Sequence, residues 1–156
     1  MRKAAAWVMK VDQSLYVSVS QMELVHIINT PRSINVPQAP NFCQDVIIWN
    51  DNILPVVDLS VLGNQSGNKS TGAVIAVIIY RSMNDEIHYG GIVLTDSPEL
   101  EQVDNSQMCQ LPEHAKDLHT FSISCFRSKA GNEVPILDMS KIFCKDHEGK
   151  QTALHQ

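Results

Sequence analysis

The chain has 156 residues, 44% of them hydrophobic and 19% charged, enough to bury a core without disulfides or metal and unlike a disordered chain. Its formal net charge is −5 and its cations, such as Lys10, Lys69, Arg81 and Lys116, are scattered, so no basic patch is present to neutralise phosphates and no nucleic acid is expected as a partner. Met1 to Met9 begins like a signal peptide, but Lys10 closes the apolar run after six residues, short of the roughly 7–15 such a segment needs.

No run approaches the roughly 18 apolar residues of a membrane span, and no membrane insertion is expected. Cys43, Cys109, Cys125 and Cys144 show no CxxC spacing. They read as free or buried thiols of a reducing compartment. The expected location is cytoplasmic.

Along the chain, Ala4 to Val11 is the first strand candidate, Asp12-Gln13-Ser14 a turn, and Leu15-Tyr16-Val17 the start of a second strand. Leu24 to Ile28 is apolar apart from His26. Val46 to Trp49 and Ile53 to Val57 flank Asn50-Asp51-Asn52. Asn and Asp tolerate positive φ, so this spacing predicts a hairpin. Asn64 to Gly72 is a polar surface loop or linker. Ala73 to Tyr80, with seven apolar residues before the tyrosine, is the strongest strand. Arg81 to Glu86 is a polar turn, Ile87 to Leu94 its partner strand, and Phe121 to Phe126 a further one. The tail 145–156 is polar. Short strands at about 8–12-residue spacing predict an all-β barrel or sandwich.

An internal repeat sharpens this. Asn52-Ile-Leu-Pro-Val-Val-Asp-Leu-Ser-Val-Leu62 recurs as Asn132-Glu-Val-Pro-Ile-Leu-Asp-Met-Ser-Lys-Ile142, at a constant offset of 80 residues. Such a period is too long for a solenoid. Two related small barrels, with one hairpin copy each near 46–62 and 121–142, fit better. Asp58 and Asp138 stand where a short helix begins and could cap its free amides; that structural role outweighs a catalytic one.

Catalytic signatures are missing: no GxGxxG, Walker loop, GxSxG or HExxH occurs. His114 and His119, in a polar loop, are five apart, not a zinc spacing. The Gly90-Gly91 pair reads as a bulge or a close backbone approach. No catalytic residue, metal or cofactor is expected, and the chain reads as no enzyme. A cryptic active site on an all-β scaffold is the alternative, because triads are set by three-dimensional geometry.

The ordered set of motifs resembles the CheW family of chemotaxis coupling proteins. Val36-Pro37-Gln38-Ala39-Pro40 resembles its proline-bearing approach loop, and Leu54-Pro55-Val56-Val57-Asp58-Leu59 its Pro-Val-Val-Asp-Leu element. Tyr89 to Asp96 is similar to its Gly-Ile-Val-Val-Asp strand, and Val134 to Asp138 to its C-terminal Pro-Leu-Leu-Asp element. The pieces cover about residues 4 to 144. The resemblance implies one domain over 1–156, built of two interwoven five-stranded SH3-like β-barrels on a shared core. It also implies a cytoplasmic, non-enzymatic adaptor that binds the regulatory domain of a CheA-type histidine kinase and docks a chemoreceptor tip between the barrels. The implied partner-binding residues are Leu24, His26, Trp49, Asn50, Asp51, Asn52, Val93 and Leu94. Asn50 stands where the family has Arg, Asp51 where it has Gly, and His26 near a usual Glu. These departures put the receptor tip in question and leave a degenerate adaptor with a different protein partner as a further alternative. Trp49 is similar to members tied to type IV pilus signalling.

Overall fold

The computed structural model describes residues 3–29, 31–40, 43–63 and 74–143. The polar stretch 64–72, Cys144 and the tail 145–156 lie outside the described residues. The apolar runs are strands: β1 (Lys3–Lys10), β2 (Tyr16–Ser20), β3 (Leu24–Ile28), β5 (Asp45–Trp49), β6 (Asn52–Val57), β7 (Val74–Arg81), β8 (Ile87–Leu94), β10 (Ser122–Arg127) and β11 (Glu133–Leu137). Two further strands, β4 (Ile34–Asn35) and β9 (Glu99–Asp104), were not foreseen. The one-turn helix α1 (Ser60–Gly63) follows β6, and residues 139–143 are helical after β11. The fold is all-β.

The strands form two sheets, ordered β10-β11-β2-β1-β9 and β3-β7-β8-β6-β5-β4. Each contains the same series of pairings. In the first sheet, β10 and β11 are antiparallel, β11 and β2 parallel, and β2–β1 and β1–β9 antiparallel. In the second, β5 and β6 are antiparallel, β6 and β8 parallel, and β8–β7 and β7–β3 antiparallel. The two repeat copies therefore occupy equivalent places, one per sheet. Even the registers correspond: Val56 opposes Gly91, and its counterpart Ile136 opposes Ser18. β4 is a sixth strand without an equivalent, added at the β5 edge.

The repeated aspartates do the same local work in both copies. Asp58 Oδ1 accepts from the Ser60 amide at 3.1 Å and the Ser60 hydroxyl at 2.5 Å. Asp138 Oδ1 accepts from the Ser140 amide at 3.2 Å and its hydroxyl at 2.6 Å. Each satisfies an amide that the first helical turn leaves unpaired.

Both sheets curl far enough to bring their edges together. β3 and β5 are separated by three strands in the sheet, yet the His26 and Trp49 rings lie 6.0 Å apart. In the first sheet the chain leaving β9 reaches β10, the strand at the opposite edge. Met108 bridges to Phe126, and the Cys109 amide donates to the Cys125 carbonyl at 2.9 Å.

Three apolar clusters follow. A large one lies between the sheets, with Met9, Val17 and Val19 from one and Val74, Ala76, Ile78, Ile92 and Leu94 from the other. Of two smaller ones, one lies within each curled sheet: Ile47, Leu54, Val56, Ile75 and Val77 in the second, and Ala6, Val103, Phe126 and Val134 in the first. β7 alternates between the large cluster and its own sheet's cluster. Burial on both faces explains its unbroken apolar run.

Two further features position the rest. Residues Glu113–Phe121 form a 3-10 helix interrupted at Ala115, where the sequence suggested a polar loop. Ala115, Leu118 and Phe121 are all buried; their spacing of three is the period of a 3-10 face. The Gly90-Gly91 pair is a close approach: a Cβ on Gly90 would stand 2.3 Å from the Phe143 ring, and one on Gly91 2.9 Å from Ile75.

Candidate functional site

The site begins at the β5–β6 hairpin. Trp49 pairs with Asn52, leaving a two-residue turn in which Asn50 and Asp51 have φ of +49° and +62°. Two positive φ values are the signature of the primed turn that matches strand twist, and Asn and Asp bear that conformation with little strain. Asn52 Nδ2 donates to the Asn50 carbonyl at 3.0 Å and secures the turn. Beside the turn, Trp49 packs on Tyr89 of β8 with ring centroids 5.3 Å apart and on His26 of β3 at 6.0 Å. Three strands thus supply one aromatic cluster at the barrel end.

The eight expected partner residues divide. His26, Asn50, Asp51 and Asn52 are exposed at this end, with Trp49 half-buried among them. Leu24 is half-buried against the large core, and Val93 against the smaller core of its own sheet. Leu94 is 0% exposed. Its side chain faces the shared core, out of any partner's reach, so it is a packing residue. In β8 both faces are covered, and an apolar run of that kind does not reveal which positions look outward.

Sequence reasoning missed the outer face of the hairpin. Ile48 and Ile53 oppose each other across β5 and β6 and are 65% and 71% exposed. Val46 opposes Pro55 one step along, and Ile34 of β4 opposes Val46. Directly paired residues share a face, so these five side chains form a contiguous apolar stripe. The signal was present: a hairpin with one wet face alternates polar and apolar residues, whereas these strands are apolar at both parities.

A second feature lies where the two sheets meet. A cavity of about 540 Å³ is lined by Met22, Glu23, Ile79, Tyr80, Arg81 and Ile87 on the side of the second sheet, and by Asp138, Met139 and Ser140 on the side of the first. Burial pushes the Glu23 carboxyl above its ordinary value of 4.5; the Ser20 amide bonded to it opposes this, and Asp138 adds to it. Met22 and Ile87 remain exposed at the rim. The cavity combines apolar walls with acidic and basic groups. Among the described residues, no three His, Cys, Asp or Glu side chains converge as metal ligands, and no helix is long and apolar enough to cross a membrane.

A profile of the CheW-like domain matches residues 6–147. The chain belongs to the CheW-like domain family. Among curated proteins no sequence matches it significantly. In structure this CheW-like chain is similar to the scaffolding protein TtCheW from Thermoanaerobacter tengcongensis, with a TM-score of 0.71. The match covers 92% of this chain and 89% of that one at 14% identity. At that identity the likeness concerns the fold. It extends over the pair of curled sheets and agrees with the two-barrel architecture that the repeat suggested.

Proposed function

We propose that this CheW-like protein is a non-enzymatic cytoplasmic adaptor of a chemosensory system, joining the regulatory domain of a CheA-type histidine kinase to chemoreceptors. The observation that carries the reading is the outward apolar stripe on the β5–β6 hairpin, with Ile48 and Ile53 at its centre. Exposed apolar side chains gathered on one face mark an interaction surface more than scattered ones do. We assign this stripe, with the adjoining turn Asn50–Asp51, to the kinase regulatory domain. The cavity between the sheets is the place for the receptor tip. Its residues Glu23, Arg81 and Asp138 supply charges that could select among receptor sequences.

Titration calorimetry of the kinase regulatory domain against the parent protein and the Ile53→Glu variant tests the assignment. Desolvating an isoleucine stabilises a complex by roughly 1.5–3 kcal/mol, so the variant should bind at least about tenfold more weakly. Equal affinities with an unchanged melting curve would remove the stripe from the interface. No binding by the parent protein at tens of micromolar would remove the kinase domain as its partner.

A further inference from the structure

Cys109 and Cys125 meet at the seam of the first barrel. Cys109 follows the 3-10 turn after β9, Cys125 lies in β10, and their sulfurs are 3.2 Å apart. The two residues are main-chain partners, with the Cys109 amide bonded to the Cys125 carbonyl. Directly opposed residues of this kind have Cα atoms about 5.5 Å apart, within the usual span of a disulfide. Both are free thiols.

The two differ in access. Cys125 is buried, whereas Cys109 is half-exposed and lines a surface cavity of about 490 Å³ together with Arg127 and Lys129. These two cations favour an anionic reagent, against the carboxylates of Glu133, opposite Arg127, and of Glu101, which accepts from the Lys129 amide at 2.7 Å. Burial, and then the neighbouring Cys109, push the Cys125 thiol up to about 12. It therefore stays protonated and unreactive toward outside reagents. Access and charge together fix the order of events.

We propose that Cys109 and Cys125 form a thiol-oxidation site, at which a small anionic disulfide of the glutathione type closes the barrel seam with an intrachain disulfide. The Cys109 thiolate attacks one sulfur of the reagent; a Cys109–reagent bond forms, the reagent's S–S bond breaks, and one thiolate leaves. Cys125 then gives its proton to the departing thiolate as its sulfur attacks Cys109. The mixed disulfide breaks, the Cys109–Cys125 bond forms, and a second reagent thiol is released. The protein loses two electrons and two protons, and one reagent disulfide becomes two thiols. The closed loop spans the 3-10 helix Glu113–Phe121, whose Ala115, Leu118 and Phe121 belong to the shared core. Oxidation thus ties the seam to the packing between the barrels.

The test incubates the folded full-length protein with oxidised glutathione, blocks the remaining thiols, and maps linked peptides by mass spectrometry. A parallel arm uses cystamine, a cationic disulfide. The expected product joins the peptides carrying Cys109 and Cys125 and removes two of the four cysteine thiols. It should form several-fold faster with oxidised glutathione than with cystamine, an advantage that shrinks in high salt. Cys125→Ser should stop at glutathione on Cys109, and Cys109→Ser should leave Cys125 unmodified, each checked against its melting curve. The proposal is overturned if the folded parent protein keeps all its thiols, if a Cys109–glutathione adduct persists without resolution, or if other cysteines pair. Equal rates for the two reagents would remove the roles of Arg127 and Lys129.

Discussion

Gly90→Ala is the most informative single change, because two opposing effects meet there and the geometry decides between them. Within a strand, alanine is ordinarily better than glycine by roughly 0.5–1 kcal/mol, since glycine loses more freedom on folding. At Gly90 the added Cβ would stand 2.3, 2.7 and 2.7 Å from three atoms of the Phe143 ring, where ordinary contact is 3.4–4 Å. The ring must retreat by about 1 Å. It cannot do so freely, because it is 2% exposed and stacked on Tyr80 at 4.9 Å with an interplanar angle of 13°. Overpacking costs about 1–3 kcal/mol, and a disturbed aromatic pair adds roughly 0.5–1.5. Steric conflict wins, and the net loss is about 2 kcal/mol at the centre of these ranges after subtracting the glycine effect. For a chain of this size that lowers Tm by roughly 4–8 °C. Urea denaturation and thermal melting measure it, and Phe143→Leu in the same background should recover part of the loss. A Gly90→Ala protein within 0.5 kcal/mol of the parent, or no recovery in the double variant, would refute the argument that Phe143 requires this glycine.

Two other expectations are open to direct measurement. The raised Glu23 carboxyl holds its proton more tightly in the native state than in the unfolded chain, so its contribution is most favourable below the unfolded value and is lost as pH rises through the higher native one. Glu23→Gln keeps an acceptor for the Ser20 amide, and its unfolding free energy relative to the parent should increase as pH rises from below the ordinary carboxyl value of 4.5 through the higher native one; a flat difference would sink the account. Asn50→Arg restores the residue usual in the family at a position with φ of +49°. It should lose about 1 kcal/mol of stability and change affinity for the kinase regulatory domain, whose proposed face adjoins this turn, while leaving affinity for a receptor tip unaltered; an effect confined to the receptor tip would move the turn out of the kinase face.

What the sequence revealed depended on whether a residue's role is local. The Asn50-Asp51 turn was legible because few residues accept two successive positive φ values. The 80-residue repeat was legible because Asn, Pro, Asp and Ser each hold a particular local geometry, which the matched Asp58–Ser60 and Asp138–Ser140 bonds display. β9 was not legible: it is an edge strand whose one buried side chain is Val103, and the rest of Glu99–Asp104 reads as polar surface. Nor was the 3-10 helix, because its three buried residues sit among His, Lys, Asp and Thr at a period of neither 2 nor 3.6. Within the candidate site, Leu94 was misplaced and Ile48 and Ile53 overlooked for one reason. In runs that are apolar at both parities, the outward residue is fixed by which face a second layer covers, and that layer comes from distant parts of the chain.

The repeat also supplies an internal control for the functional reading. The same pairing pattern is built twice, so a residue needed by the architecture should keep its character in both copies. Pro55 and Pro135, Asp58 and Asp138, and Ser60 and Ser140 do so. Ile53 does not: its counterpart is Glu133, at the start of β11 and opposite Arg127. The hairpin therefore folds with a charged residue at that place, and the fold does not account for an isoleucine that is 71% exposed. The second copy has its own exposed isoleucine, Ile123, but it lies at the register shift of β10 and faces no apolar partner like the Ile48–Ile53 pair. An apolar stripe thus occurs on one copy of a duplicated hairpin, beside the two-residue turn. Ile53→Glu transfers the second copy's solution to the first, so it should cost no more than the roughly 0.2–1 kcal/mol of one cross-strand pair while weakening partner binding at least about tenfold. A variant that instead unfolds would mean that Ile53 serves the barrel after all, and the stripe would lose its standing as a docking face.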